Sequence, residues 1–174
     1  RVIDKWSQDL SIIADADLVV LATPVNTILK LAGIILKFIR KDSIVTDVGS
    51  TKKEIVSKLS KIFSNYVGSH PLAGSEKRGL VNASTDIFKN SLCILTPVKN
   101  TTPKALKKIK NLWNRLGARV IFLSPDTHDR ILSFVSHLPH VIAFSLIDIV
   151  PDKYLKFGAT GLKDATRITL SDSR

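Results

Sequence analysis

The chain has 174 residues, 44% of them hydrophobic, and a formal net charge of +11. That length and composition suit one globular domain, or one domain with part of a second, and exclude a disordered or low-complexity chain. A single cysteine, Cys93, excludes a disulfide framework and fits a reducing compartment, so a cytoplasmic location is expected.

Residues 17–22 form a short Val- and Leu-rich run ending in Thr23-Pro24, the pattern of a parallel strand buried on both faces. Residues 26–40 are apolar nearly all round and predict a largely buried helix. A strand follows over 43–47, closed by Gly49-Ser50. Ile55, Val56, Leu59, Ile62 and Phe63 form a helical stripe over 52–63. A short strand over 66–69 runs into His70-Pro71, and another strand covers 91–96. Thr102-Pro103 caps a helix that ends at Gly117. Residues 119–123 make one more strand, and Ser124-Pro125 opens a long helix to about Val150. Strands alternating with helices predict an α/β fold with a mostly parallel, Rossmann-like sheet. The long helix leaves that alternation and begins an all-α segment, so the boundary is set at 124/125. Ligands of such sheets bind beyond the carboxyl ends of the strands, where Thr23, Ser50 and His70 lie.

The positive charge is spread over predicted helix surfaces, as in Lys52, Lys53, Lys58, Lys61, Lys104, Lys107, Lys108 and Lys110. No aromatic residues interleave with these lysines as stacking platforms would require, so no nucleic-acid partner is expected. The apolar stretch 131–150 contains His137, Pro139, His140 and Asp148, which disfavours a membrane span and suits a buried helix near a polar site.

The four histidines fall in two segments. His70, between small residues at a strand end, has room for a ligand, or it caps a turn. His137 and His140 share a helix face, with Pro139 between them, where the helix should bend. A metal site is disfavoured, because no cysteine or suitably spaced carboxylate joins the pair. Arg167 follows Asp164 by three residues and suits either a carboxylate clamp or a surface ion pair; the spacing favours the pair. Gly49-Ser50 allows close approach of a cofactor. Cys93 reads as core.

Several stretches together resemble the prephenate/arogenate dehydrogenase family: Ala14 to Val25, Thr46 to Lys52, Gly68 to Gly79, His128-Asp129, Ser136-His137-Leu138-Pro139-His140, and Lys163-Asp164-Ala165-Thr166-Arg167. The resemblance implies oxidative decarboxylation of prephenate to 4-hydroxyphenylpyruvate, or of arogenate to tyrosine, with NAD or NADP. It implies that His70 accepts the proton of the substrate's ring hydroxyl and that Ser50 orients the reacting groups. Arg167 would hold a substrate carboxylate, with Ser75, His140, His137, Glu76 and Asp164 around the substrate. Thr23, Pro24 and Gly49 would meet the cofactor. A homodimer is expected for the complete protein.

The family's Gly-x-Gly-x-x-Gly turn is absent, the first glycine being Gly33. The chain opens on Arg1, contains no Met and stops in a polar segment at Arg174, so both ends read as cuts. A truncated sequence of an intact enzyme is the expectation: a sheet without its first βαβ segment, the start of an all-α dimerisation domain, and no turnover by the fragment itself. The alternatives are another hydroxyacid-type nicotinamide dehydrogenase, which the absence of a lysine on the long helix disfavours, and a non-catalytic basic module that binds nucleic acid.

Overall fold

The computed structural model describes residues 3–74 and 83–170. The chain divides into two compact units, one of Arg1–Ala73 and Asp86–Asp129, the other of Gly74–Thr85 and Arg130–Arg174.

The first unit is a sheet of β1 (Leu18–Leu21), β2 (Ile44–Asp47), β3 (Tyr66–Leu72), β4 (Leu92–Thr96) and β5 (Arg119–Phe122), in that spatial order. β1, β2 and β3 are mutually parallel, β4 runs antiparallel to β3, and β5 is parallel to β4. Every residue of β2 is buried, as expected for a strand covered on both faces. On one face, α1 (Val25–Ile35) and α2 (Lys53–Ile62) bury Ile28, Ala32, Ile55, Val56 and Leu59 against Val19, Leu21 and Val45. On the other, α3 (Pro103–Arg115) packs Ala105, Ile109 and Trp113 over Val67, Cys93 and Leu95.

The caps follow the sequence. The Thr102 side chain accepts the Ala105 N–H with Pro103 at the start of α3, and Gly117 leaves the helix at φ +88. At Gly68 a Cβ would lie 2.5 Å from Thr96 Oγ1 and 2.9 Å from Val56 Cγ2, so only glycine lets β3 sit this close to β4 and α2.

Three sequence expectations change. The helix expected over 26–40 ends at Ile35 and is one-sided: Ile28, Ala32 and Ile35 are buried while Ile34, Leu36 and Phe38 are exposed. The strand expected over 66–69 continues to Leu72, because pairing with β4 sets His70 opposite Ile94 and Pro71 opposite Cys93. His70 therefore lies within a strand and not after one.

The third change is in the helical run that opens at Pro125 in the first unit and continues along the chain into the second. The helical run Pro125–Ile149 comprises α4 (Pro125–Leu132), a π-helical turn at Ser133–His137 and α5 (Leu138–Ile149), with Pro139 in the first turn of α5. A proline removes a backbone donor from the helical ladder, and the π turn stands immediately before it in the chain. The helix was expected to be buried, yet Phe134, Val135, Val141, Ile142 and Ile149 are exposed. The run is long and apolar enough to cross a membrane by length and composition. Helices that pack against other helices on several sides carry the same apolar composition. α6 (Asp152–Leu155), α7 (Thr160–Thr166) and a 3₁₀ turn at Arg167–Leu170 follow.

Candidate active site

Leu21, Asp47 and Gly68 stand in register on the three parallel strands. The segments beyond them therefore share one edge of the sheet: Thr23-Pro24 after β1, Gly49-Ser50 after β2, and His70 on β3. Thr23 Oγ1 is buried there without a hydrogen-bond partner among the described residues. An unmet buried hydroxyl is costly, which suits a polar group of a ligand laid across the strand ends. Next to it, α1 begins with Pro24 at the N-cap and no side-chain hydrogen bond to the helix terminus.

The loop carrying Ser50 is anchored from beneath. Asp47 Oδ1 accepts the Tyr66 hydroxyl at 2.6 Å, and Oδ2 accepts the Gly49 N–H at 2.9 Å and the Lys52 ammonium. Both members of the Asp47–Lys52 ion pair are wholly buried. Burial pushes the Lys52 pKa down, opposed by Asp47; burial and then the same carboxylate push the Tyr66 phenol well up. The expectation that Lys52 is a solvated surface lysine is thus overturned. Its position at the start of α2 turns it inward toward a carboxylate five residues earlier. A Cβ at Gly49 would lie 2.8 Å from Ile55 Cδ1 and 3.0 Å from Asp47 Oδ2, so this glycine makes room for neighbouring side chains of the same unit.

His70 Nδ1 lies 2.8 Å from His128 Nε2, and His128 Nδ1 lies 2.7 Å from Asp129 Oδ1. Asp129 also accepts the backbone N–H groups of Lys52 at 2.8 Å and Lys53 at 2.9 Å. It is thereby the acceptor for the N-terminus of α2, although it lies on another helix. Burial pushes the Asp129 pKa up. The Lys53 N–H, the His128 ring and the Lys52 N–H outweigh that burial, and the net shift is below the ordinary carboxylate value. His128 is wholly buried.

Side chains alternate along a strand. Tyr66, Gly68 and His70 share the face that carries α2, and Val67, Ser69 and Pro71 the face that carries α3. On the α3 side, Ser69 Oγ accepts the Trp113 indole N–H at 3.1 Å and lies 2.7 Å from Thr46 Oγ1. A cavity of about 500 Å³ opens beside Val20, Ala22, Val48, Pro71 and Trp113 and touches His70. Its lining is mostly from the α3 side, across the sheet from the His70–His128 contact.

The other expected site residues are distributed as follows. Ser75 and Glu76 lie outside the described residues. In the second unit, His137 is exposed, while partly buried His140 places Nδ1 2.8 Å from the Ser136 carbonyl oxygen. Asp164 and Arg167 are exposed at the end of α7, where the Arg167 N–H donates to the Asp164 carbonyl. Among the described residues no group of three or more His, Cys, Asp or Glu is placed to hold a metal ion. The sequence reading assigned no role to His128, Asp129, Asp47 or Lys52. The signals available were a His-Asp pair in the first turns of a helix and an aspartate ending a buried strand.

Polar loops gathered at the carboxyl ends of parallel strands, on a mostly parallel sheet continued into helices, define a Rossmann-like nucleotide-binding domain with a helical extension. Residues 1–122 match the family described as prephenate dehydrogenase, nucleotide-binding domain, and residues 124–174 match the prephenate dehydrogenase dimerization domain. The chain belongs to the prephenate dehydrogenase family. It is 35% identical over 179 residues to the prephenate dehydrogenase of Bacillus subtilis strain 168, covering 97% of this chain and 48% of that protein. It is 34% identical over 171 residues to the cyclohexadienyl dehydrogenase of Zymomonas mobilis, covering 93% and 58%. The chain spans about half the length of the curated relatives it matches. Among solved structures, the prephenate dehydrogenase of Aquifex aeolicus in complex with hydroxyphenyl propionate and NAD+ superposes with a TM-score of 0.91 at 36% identity, covering 98% of this chain and 63% of that one. The arogenate dehydrogenase of Synechocystis gives 0.80 at 28% identity, covering 96% and 63%.

Proposed function

We propose that this chain belongs to an enzyme that oxidatively decarboxylates prephenate, or arogenate, with NAD or NADP in tyrosine biosynthesis. The observation that carries the reading is the placement of His70 at the strand edge that also bears Thr23 and Gly49-Ser50, in a chain matched by the family over nearly its whole length. The names of the Bacillus and Synechocystis proteins support the two substrates, and the Aquifex complex supports a nicotinamide cofactor.

The unmet Thr23 hydroxyl and Pro24 fit the cofactor side of the site, on the sheet edge that also carries the Gly49-Ser50 loop. When bound, the cofactor supplies the hydride acceptor. His70 takes the proton of the substrate's ring hydroxyl, a task for a neutral imidazole near pH 7. Ser50, on the loop held by Asp47, orients that hydroxyl against the imidazole. Carbon dioxide then leaves and the ring becomes aromatic, which drives the reaction. Arg167 pairs with a substrate carboxylate, since its planar guanidinium cannot lose its charge. The family resemblance assigns His137, His140 and Asp164, with Ser75 and Glu76, to substrate binding. Residues 1–124 form the cofactor-binding part and residues 125–174 begin the helical part. The exposed apolar residues of Pro125–Ile149 and the match to a dimerization domain support a homodimer.

The test is to supply the full-length protein with prephenate and with arogenate, each with NAD and with NADP, and to follow reduced nicotinamide. Turnover is expected for at least one combination, and none with all of them overturns the reading. In the same assay Arg167→Ala should raise the substrate KM roughly ten- to a hundredfold, the worth of a charge-assisted hydrogen bond. The cofactor KM should stay put; an equal rise in both would make Arg167 structural.

A further inference from the structure

Asp129 accepts two backbone N–H groups, from Lys52 and Lys53, and stands 2.7 Å from His128 Nδ1. A carboxylate only accepts, so His128 Nδ1 carries a hydrogen. In a neutral imidazole the other nitrogen is then the acceptor, and His128 Nε2 faces His70 Nδ1 at 2.8 Å. His70 Nδ1 must donate to it, which leaves the lone pair of His70 on Nε2. The three groups form a directed chain that starts at a helix N-terminus and ends on the nitrogen required to accept a proton.

We propose that His128, backed by Asp129, is a positioning residue that holds His70 in the tautomer whose Nε2 accepts the substrate's hydroxyl proton. This rests on the assignment of His70 as the proton acceptor. When Nε2 gains that proton, the His70 imidazolium still donates from Nδ1 to the neutral His128, and the Asp129 charge stands behind it. The His128 ring is wholly buried, so on its side the hydrogen bond is shielded from solvent. The arrangement extends the usual histidine–carboxylate pair by one imidazole, with the carboxylate itself fixed by α2.

The other ionisable groups around the chain lie on the elements packed against it. From β4, buried Cys93 has its thiol pushed up to about 12 by burial, and the His70 backbone donates to it. From β2, α2 and β3 come Asp47, Lys52 and Tyr66, joined to one another. Lys53 pairs with Asp126 at 2.7 Å on the exposed side. The substitutions below leave all of these in place.

The experiment is the pH dependence of kcat/KM in the full-length enzyme. His128→Phe removes the acceptor while keeping a ring. It should lower kcat about ten- to a hundredfold, less than the roughly hundred- to ten-thousandfold worth of the acid–base group it positions, and leave both KM values within about twofold. Loss of a hydrogen bond to the charged form disfavours it, so the acidic limb should move down by roughly one pH unit. His128→Gln, whose side-chain oxygen can accept in place of Nε2, should recover most of kcat and return the limb. Asp129→Asn should behave like a weaker His128→Phe, and it decides the matter if the phenylalanine variant does not fold. An unmoved limb, a limb that moves up as it would if His128 were cationic, or a glutamine variant as impaired as the phenylalanine one overturns the proposal. His70→Asn is the control. If it keeps normal turnover, the His70 assignment itself has failed. If it loses turnover while His128→Phe and Asp129→Asn are normal, only the positioning chain has failed.

Discussion

His70→Asn in the full-length protein should lower kcat by roughly a hundred- to ten-thousandfold, the usual worth of a positioned general base. Asparagine keeps a polar side chain on β3, so pairing opposite Ile94 is undisturbed and the melting temperature should change little. The substrate KM should change far less than kcat, because a group that accepts a proton acts mainly in the transition state. In the unaltered enzyme, activity should also fall on the acidic side as the imidazole becomes protonated and can no longer accept. Steady-state kinetics across pH, with thermal unfolding in parallel, checks both. A variant with near-normal kcat removes His70 from the chemistry.

The second large effect is on stability. Lys52→Met should destabilise the first unit by about 3–5 kcal/mol, because it leaves the Asp47 carboxylate wholly buried without its cation. For a unit of this size that corresponds to a fall in Tm of roughly 12–20 °C. Tyr66 and the Gly49 N–H would remain as donors to Asp47, but neither carries charge. Replacing both partners, Asp47→Leu with Lys52→Met, should recover much of the loss, since a matched apolar pair has no charge to desolvate. The double variant should still turn over poorly, because the Gly49-Ser50 loop has lost its anchor. Differential scanning calorimetry of the single and double variants tests this. A Lys52→Met protein that melts with the parent would mean that the pair contributes nothing to folding.

The local rules carried much of the architecture. Hydrophobic period, proline and glycine placement and the Thr102 and Ser124 caps are all short-range, and they located each strand and most helices within a few residues. The motifs around His70, Ser50 and Arg167 were likewise legible, as runs of unusual residues at the ends of regular elements. What those signals lacked was a partner. A strand expected to stop before His70 continues because β4 offers backbone groups from some twenty residues downstream, at Ile94 and Cys93. The helix expected to be buried from 131 onward is apolar in composition, but burial depends on what covers it, and composition does not name the cover.

The same distinction divides the site. By itself the sequence determined the fold class, the edge of the sheet where polar loops collect, and the family, because these follow from composition, period and motif. Only the tertiary structure decided that Lys52 is an interior cation, that Asp129 serves the N-terminus of α2, and that His128 stands against His70. Those contacts join residues 5, 77 and 58 positions apart. The two long ones exist because parallel strands and their helices bring distant segments to one edge. Charge and hydrogen bonding act over a few ångströms, and sequence distance does not measure ångströms once the chain has folded.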